Sequence, residues 1–255
     1  MSTPREQPEA LIPIPEDWNS CLVVVAHPDD IEYGGSGAIA RWTSQGKHVR
    51  YLLVTSGEAG IDGMDPAQTR PLREEEERRS AAAVGVEHVE FLGFADGVIE
   101  YGLPLRKAIS AAVCRHRPDI VITANFRETY GGVFLNQRDH IATGWAVVDG
   151  VRDAGNRWVF PELLADGLEP WGGVRAVLAA GSPDGRFGVD ITDHLDKAVA
   201  SLKEHRAYIE GLGNPDFDPE EFLEGFSRQA GARMGTRFAT SFEVFDLGGF
   251  LPAPA

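Results

Sequence analysis

Short apolar runs alternate with longer amphipathic stretches along most of the chain. Leu22–Ala26, Val49–Thr55, Val89–Leu92, Ile120–Thr123 and Val174–Ala179 read as strands. Between them the pattern predicts helices near Gly35–Gln45, Pro71–Val84, Leu103–Arg115 and His140–Ala154. Pro71 suits a first helical turn, and Pro118 stops the third helix from continuing. Thr192–Ile209 reads as one long amphipathic helix, Asp218–Gly231 as an acidic helix and Phe242–Phe245 as a closing strand. Strands separated by helices imply right-handed crossovers and hence an α/β fold with a mostly parallel sheet. There is no internal repeat and no long linker, so a single domain over 1–255 is expected. Its core covers about 20–210, and a C-terminal helix and strand occupy 211–250. Asn156–Gly173, rich in Trp, Pro and Gly, reads as an excursion, and Phe250–Ala255 as a loose tail.

Charge narrows the classes of partner. A formal net charge of −15 disfavours nucleic acid, which needs a basic face to displace counterions, and equally disfavours anionic membranes. Cys21 and Cys114 fall in apolar segments and read as reduced core residues without a disulfide framework. Met1–Trp18 lacks the basic start and apolar run of a signal peptide, and no segment has the length of a membrane span. A soluble, cytoplasmic protein is expected; assembly into a homo-oligomer stays open.

The chemistry concentrates where the first strand ends, in His27-Pro28-Asp29-Asp30. Ligands of open α/β sheets bind beyond the carboxyl ends of the strands, and charge placed there needs compensation if it is buried. A divalent metal would supply it. Gly35-Ser36-Gly37-Ala38-Ile39-Ala40 matches a dinucleotide fingerprint, which gives a metal-free oxidoreductase as the alternative from another class. Eight residues, His27 to Gly34, separate that motif from the strand, and pyrophosphate would lie beside Asp29, Asp30 and Glu32. The glycines read better as a tight turn and a close helix–sheet contact. Catalytic zinc takes three protein ligands and keeps a position open. His27 and Asp30, three apart on a turn, can converge on one ion. Among the remaining histidines, His48 and His88 precede strands at the opposite sheet edge, and His116 sits at a solvated helix end. His194 and His205 lie on the late helix. His140 starts a helix after the strand Ile120–Thr123, at the same sheet edge as His27.

The pattern resembles the PIG-L/LmbE-like family of zinc-dependent N-deacetylases over roughly Leu22 to Ile209. The resemblance rests on Ala26-His27-Pro28-Asp29-Asp30, Thr55-Ser56-Gly57-Glu58-Ala59-Gly60 and Arg73-Glu74-Glu75-Glu76 running to Ala81–Val86. It rests also on Asp139-His140 and on Asp190-Ile191-Thr192 with His205. It implies a Rossmann-like sheet with helices on both faces, one Zn²⁺ held by His27, Asp30 and His140, and Asp29 as the catalytic carboxylate. It also implies that Arg73 reaches the substrate, against the alternative of a solvated charge run.

The metal would polarise an amide carbonyl and acidify water, and Asp29 is placed to take the proton. The family often reads H-x-D-H where this chain has Gln137-Arg138-Asp139-His140. Gln137 can donate a hydrogen bond to an oxyanion but cannot titrate, so Asp29 is expected both to take and to return the proton. Asp139 reads either as the partner that orients a ligand histidine or as a first-turn helix acid. Glu58 and Asn125 are the further substrate candidates, with Phe126, Tyr130 and Trp158 available as aromatic faces. Where the family often has Ser-Gln after the late histidine, this chain has Ala207-Tyr208. The expected reaction removes an N-acetyl group from an N-acetylglucosamine-containing small molecule, giving amine and acetate. The near alternative is an amidase for bulkier amides such as mycothiol S-conjugates, and a third reading is a non-catalytic sugar-binding module.

Overall fold

The computed structural model describes residues 9–252. In chain order its first elements are β1 (Ile12–Pro13), β2 (Ser20–Val25), α1 (Ser36–Ser44), β3 (His48–Leu53), α2 (Pro66–Ala83) and β4 (His88–Phe91). Then come α3 (Leu103–His116), β5 (Ile120–Ala124), β6 (Thr129–Tyr130), β7 (Phe134–Leu135), α4 (Arg138–Ala154) and α5 (Glu162–Ala165). The chain finishes with β8 (Ala176–Ala180), β9 (Phe187–Asp190), α6 (Leu195–Lys203), α7 (Arg206–Gly211), α8 (Pro219–Met234) and β10 (Ala239–Asp246). Eight strands form one sheet in the order β1-β9-β10-β8-β5-β2-β3-β4, and β6 and β7 form a separate hairpin.

The expected parallel sheet is present: β8, β5, β2, β3 and β4 run side by side in one direction. Its apolar runs are continuous because both faces are covered. Val23 and Val25 pack with α1, α2, α6 and α8 on one face, and Leu22 and Val24 with α3 and α4 on the other. After β2 the chain moves outward through β3 and β4, then returns to place β5 on the other side of β2. The crevice between the ends of β2 and β5 is therefore the switch point at which such sheets bind ligands. The loops that leave those two strands carry His27–Asp30 and Asn125–Gln137.

Several expectations need correction. The second helix starts at Pro66, with the Asp65 side chain accepting from the Ala67 amide at 2.8 Å, and Pro71 lies inside it. Pro66 and Pro71 both fit a first turn, and the cap decides between them. The run Thr192–Ile209 is two helices, α6 and α7, broken at Glu204–His205 where the amides bond three residues back rather than four. The break turns the His205 ring fully inward. The closing strand β10 is antiparallel to both neighbours, β8 and β9, and neither β9 nor β1 was expected. Phe250 is not part of a loose tail but packs in the core at 2% exposure; residues 253–255 of that tail, like residues 1–8 of the N-terminal stretch, lie outside the described ones. Gly37 permits close packing, as a Cβ there would meet the Ile191 side chain at 2.7 Å. Cys21 and Cys114 are free and buried.

Candidate metal and catalytic centre

His27 leaves β2 into a tight turn. The Asp30 carboxylate accepts the His27 amide through Oδ2 at 2.9 Å, which aims Oδ1 at two imidazoles. Oδ1 lies 3.6 Å from His27 Nδ1 and 2.9 Å from His140 Nε2, and those two nitrogens are 3.2 Å apart. Ligands about 2.0–2.1 Å from one tetrahedral ion are about 3.4 Å from each other. The three atoms thus fit a single small cation, and all three residues line one cavity.

The far nitrogen of each imidazole is also fixed. His27 Nε2 lies 3.0 Å from Asp96 Oδ1 and 3.3 Å from Asp139 Oδ2. Asp139 also accepts the Gly97 and Ile99 amides at 2.7 and 3.1 Å, so it is both a first-turn acid of α4 and the partner of His27. His140 Nδ1 contacts Asn136 Oδ1 at 2.7 Å and the Tyr130 hydroxyl at 3.1 Å. Such partners set the tautomer and the ring plane of a metal-binding histidine. Burial opposes charging His27, yet Asp30, Asp139 and Asp96 hold its pKa well above the ordinary value. Burial likewise opposes charge on His140, and Asp30 overrides it. The Asp30 carboxyl pays for burial but is held far below the usual range by the two imidazoles. In place of those protons a cation would find the same negative field.

Asp29 is not part of the trio of His27, Asp30 and His140. Its backbone adopts φ +92°, and its amide donates to Glu77 Oε2 at 3.2 Å. Arg73 donates to Asp29 Oδ1 at 2.8 Å, to the Gly57 carbonyl at 3.0 Å and to the Pro28 carbonyl. Its guanidinium also lies 3.9 Å from the Tyr208 ring centre. Burial raises the Asp29 pKa to about 6, with Arg73 pulling the other way. Beneath it His205, Glu32 and Glu77 are fully buried together; burial disfavours charge on His205, but the two glutamates hold its pKa at about 9.

The remaining sequence candidates separate. Gln137 lines the cavity, exposed and without a capping bond from its side chain. Asn125 lines it too, but its amide bridges its own loop to Thr129 and Arg127. Glu58 does not line it: its carboxylate is engaged by Arg70 at 2.8 Å and by the Asp96 amide at 3.3 Å, so it braces the loop that carries Asp96. Among the aromatic candidates, Tyr130 lines the cavity, Phe126 is a core residue packed on Trp145, and Trp158 is exposed elsewhere. His194 contacts Ser44 at the far end of α1. Asp96 and Asn136 were not foreseen: Asp96 sits in the loop after β4 and Asn136 in the loop just before α4, both without periodicity. Replacing Arg73 with methionine is expected to leave the Asp29 charge buried and uncompensated, costing about 3–5 kcal/mol. Calorimetry should show a melting temperature lower by about 10 °C; an unchanged value would refute the pairing.

The family model for PIG-L, GlcNAc-PI de-N-acetylase, matches residues 22–151. This chain belongs to the PIG-L family. A diacetylchitobiose deacetylase from Thermococcus kodakarensis is 31% identical over 193 residues, covering 75% of this chain and 70% of the relative. The PIG-L fold is shared with the N,N'-diacetylchitobiose deacetylase of Pyrococcus horikoshii, at a TM-score of 0.81 and 24% identity over 91% of this chain and 85% of that one. It is shared also with a 4-carboxy-2-hydroxymuconate hydratase from Pseudomonas putida KT2440, at a TM-score of 0.74 and 19% identity over 93% and 99% of the two chains. Within this fold the reaction is therefore decided by the site and not by the sheet.

Proposed function

We propose that this PIG-L family member is a zinc-dependent amide hydrolase that removes the N-acetyl group from N-acetylglucosamine-containing small molecules. The observation that carries the reading is the trio His27 Nδ1, Asp30 Oδ1 and His140 Nε2, spaced 2.9–3.6 Å apart, with Asp29 beside it in the same cavity but outside the trio. Relatives that share the sequence are named as deacetylases of acetylated sugars. His27, Asp30 and His140 would hold the zinc ion, and the chemistry it would supply there is Lewis acidity toward an amide carbonyl and toward water.

The protein's own groups do the rest. Asp29 accepts a proton from the attacking water and returns it to the departing nitrogen, since no second titratable residue occupies the Gln137 position. Arg73 keeps that carboxylate ionised and fixed through Oδ1. Gln137 Nε2 donates to the carbonyl oxygen as negative charge develops there. Asp139 and Asp96 hold His27, and Asn136 holds His140.

The test is amine release from methyl N-acetylglucosaminide by protein purified without chelator. Activity should vanish with dipicolinate and return with one equivalent of zinc; metal-independent release, or none with zinc bound, would sink the proposal. Gln137→Ala is expected to lower kcat on the order of 10²-fold. Its melting temperature should not move, because the side chain is exposed and makes no capping bond. An unchanged kcat would remove Gln137 from the oxyanion role.

A further inference from the structure

The cavity that holds the trio has a volume of about 660 Å³. An N-acetylhexosamine, about 15 non-hydrogen atoms, fills about 300 Å³ at ordinary packing density. More than half of the space is therefore left over, and its lining changes character. Every charged side chain that lines the cavity comes from the loops after β2 and β4 or from α2 and α4. The wall made by α8 and by the segment from Ile191 to Ala198 contributes none. Phe222, Leu223, Phe226 and Ala230 form a stripe along α8 in which Ser227 is the single polar side chain, and Ile191 and Ala198 join them. Tyr33, three residues after Asp30, packs edge-on against Phe222 at a centroid distance of 5.5 Å and marks where the polar end gives way to the apolar wall. Phe226 is 58% exposed, an aromatic face at this wall that the protein's own core does not use.

We infer that this wall is a substrate subsite for an uncharged alkyl chain, carried by the molecule whose amide is cleaved at the trio. The inference rests on the deacetylase reading and deepens it by naming the substrate class: amphiphilic glucosamine amides rather than free N-acetylhexosamines. The stripe from Phe222 to Ala230 spans nine residues of helix, about 12 Å from first to last, which suits a chain of about eight to ten carbons. Water in such a limb is displaced favourably by methylenes, whereas a charged extension would lose its hydration with hydroxyls such as that of Ser227 as partners and no opposite charge on this wall.

The chain has two chemical sources, an alkyl aglycone or a long N-acyl group, and two substrate series separate them. In the first, KM is measured for methyl, butyl, hexyl and octyl N-acetylglucosaminides; in the second, for N-acetyl to N-decanoyl glucosamine. In the series that uses the limb, KM should fall on the order of 100-fold from the shortest member to the longest. Ala230→Trp, which fills the limb, and Phe226→Ser, an exposed position that leaves the core intact, should each flatten that dependence. Binding of octyl β-glucoside below its micellar concentration, followed by titration calorimetry, gives a readout without amide hydrolysis. Octyl glucoside that binds the wild type and not Ala230→Trp, with no amide cleaved, would keep the subsite and overturn the deacetylase reading. Turnover of the methyl glycoside with flat KM in both series and no octyl glucoside binding would overturn the subsite alone. A length dependence unchanged in both variants would overturn it as well.

Discussion

Replacing His140 with alanine is expected to leave a folded protein that carries no stoichiometric metal and releases no amine above background. Without His140 Nε2, only His27 Nδ1 and Asp30 Oδ1 remain of the trio, and a catalytic zinc held by two protein ligands falls short of the usual three. The fold should survive because His140 lies in the first turn of α4, half-buried, and alanine is the best helix former. Elemental analysis of protein purified without chelator, beside circular dichroism, reads both consequences. One equivalent of zinc retained in the variant, with turnover intact, would disprove the ligand assignment.

Asp29→Asn should separate the metal from the proton. The amide is close in size to the carboxylate, and asparagine tolerates the positive φ of 92° that position 29 requires better than alanine does. With the trio untouched, zinc should remain at one equivalent while kcat falls by about 10²–10⁴-fold. A rate within a few-fold of wild type would remove Asp29 from the role of base. The pH dependence carries the same information. A base works ionised, so the wild-type rate should fall about tenfold per unit once the pH drops below the Asp29 pKa. Burial raises that pKa to about 6 while Arg73 pulls it down, and a cation bound by the trio pulls it down further. The acid limb should therefore lie at or below about pH 6 and be missing from the residual rate of Asp29→Asn.

The parts of this site that were legible are those written as local pattern. The run Leu22–Ala26 ending in His27-Pro28-Asp29-Asp30 announces a buried strand with charge at its carboxyl end, and topology brings His140 to the same edge. The groups that position these side chains were less visible. Asp96 and Asn136 sit in loops without periodicity, where nothing separates them from ordinary solvated residues. Arg73 and Glu77 lie within a run of charges that looks like a wet helix face, yet both are buried, because α2 packs across the turn that holds Asp29. The amphipathic period across Thr192–Ile209 continues through Glu204–His205, so it cannot report that the helix breaks to turn an imidazole inward. Glu58 follows the second strand, but topological nearness to a site does not fix the direction of a side chain.

The position of β10 has a consequence for how the molecule is made. This strand, residues 239–246, is inserted between β8 and β9 and runs against both, and β9 in turn is what β1, at residues 12–13, pairs with among the described residues. During synthesis the parallel strands β2 to β5 and β8 can assemble as they emerge, but β8 keeps an unpaired edge until residues 239–246 are available. Until then the N-terminal β1 has no completed sheet edge to join, and α8, already packed on α6, lacks the strand that completes its contact with the sheet. Such long-range pairings form slowly. Folding should thus include a late step in which residues 12–13 and 239–246 are tied into the sheet together.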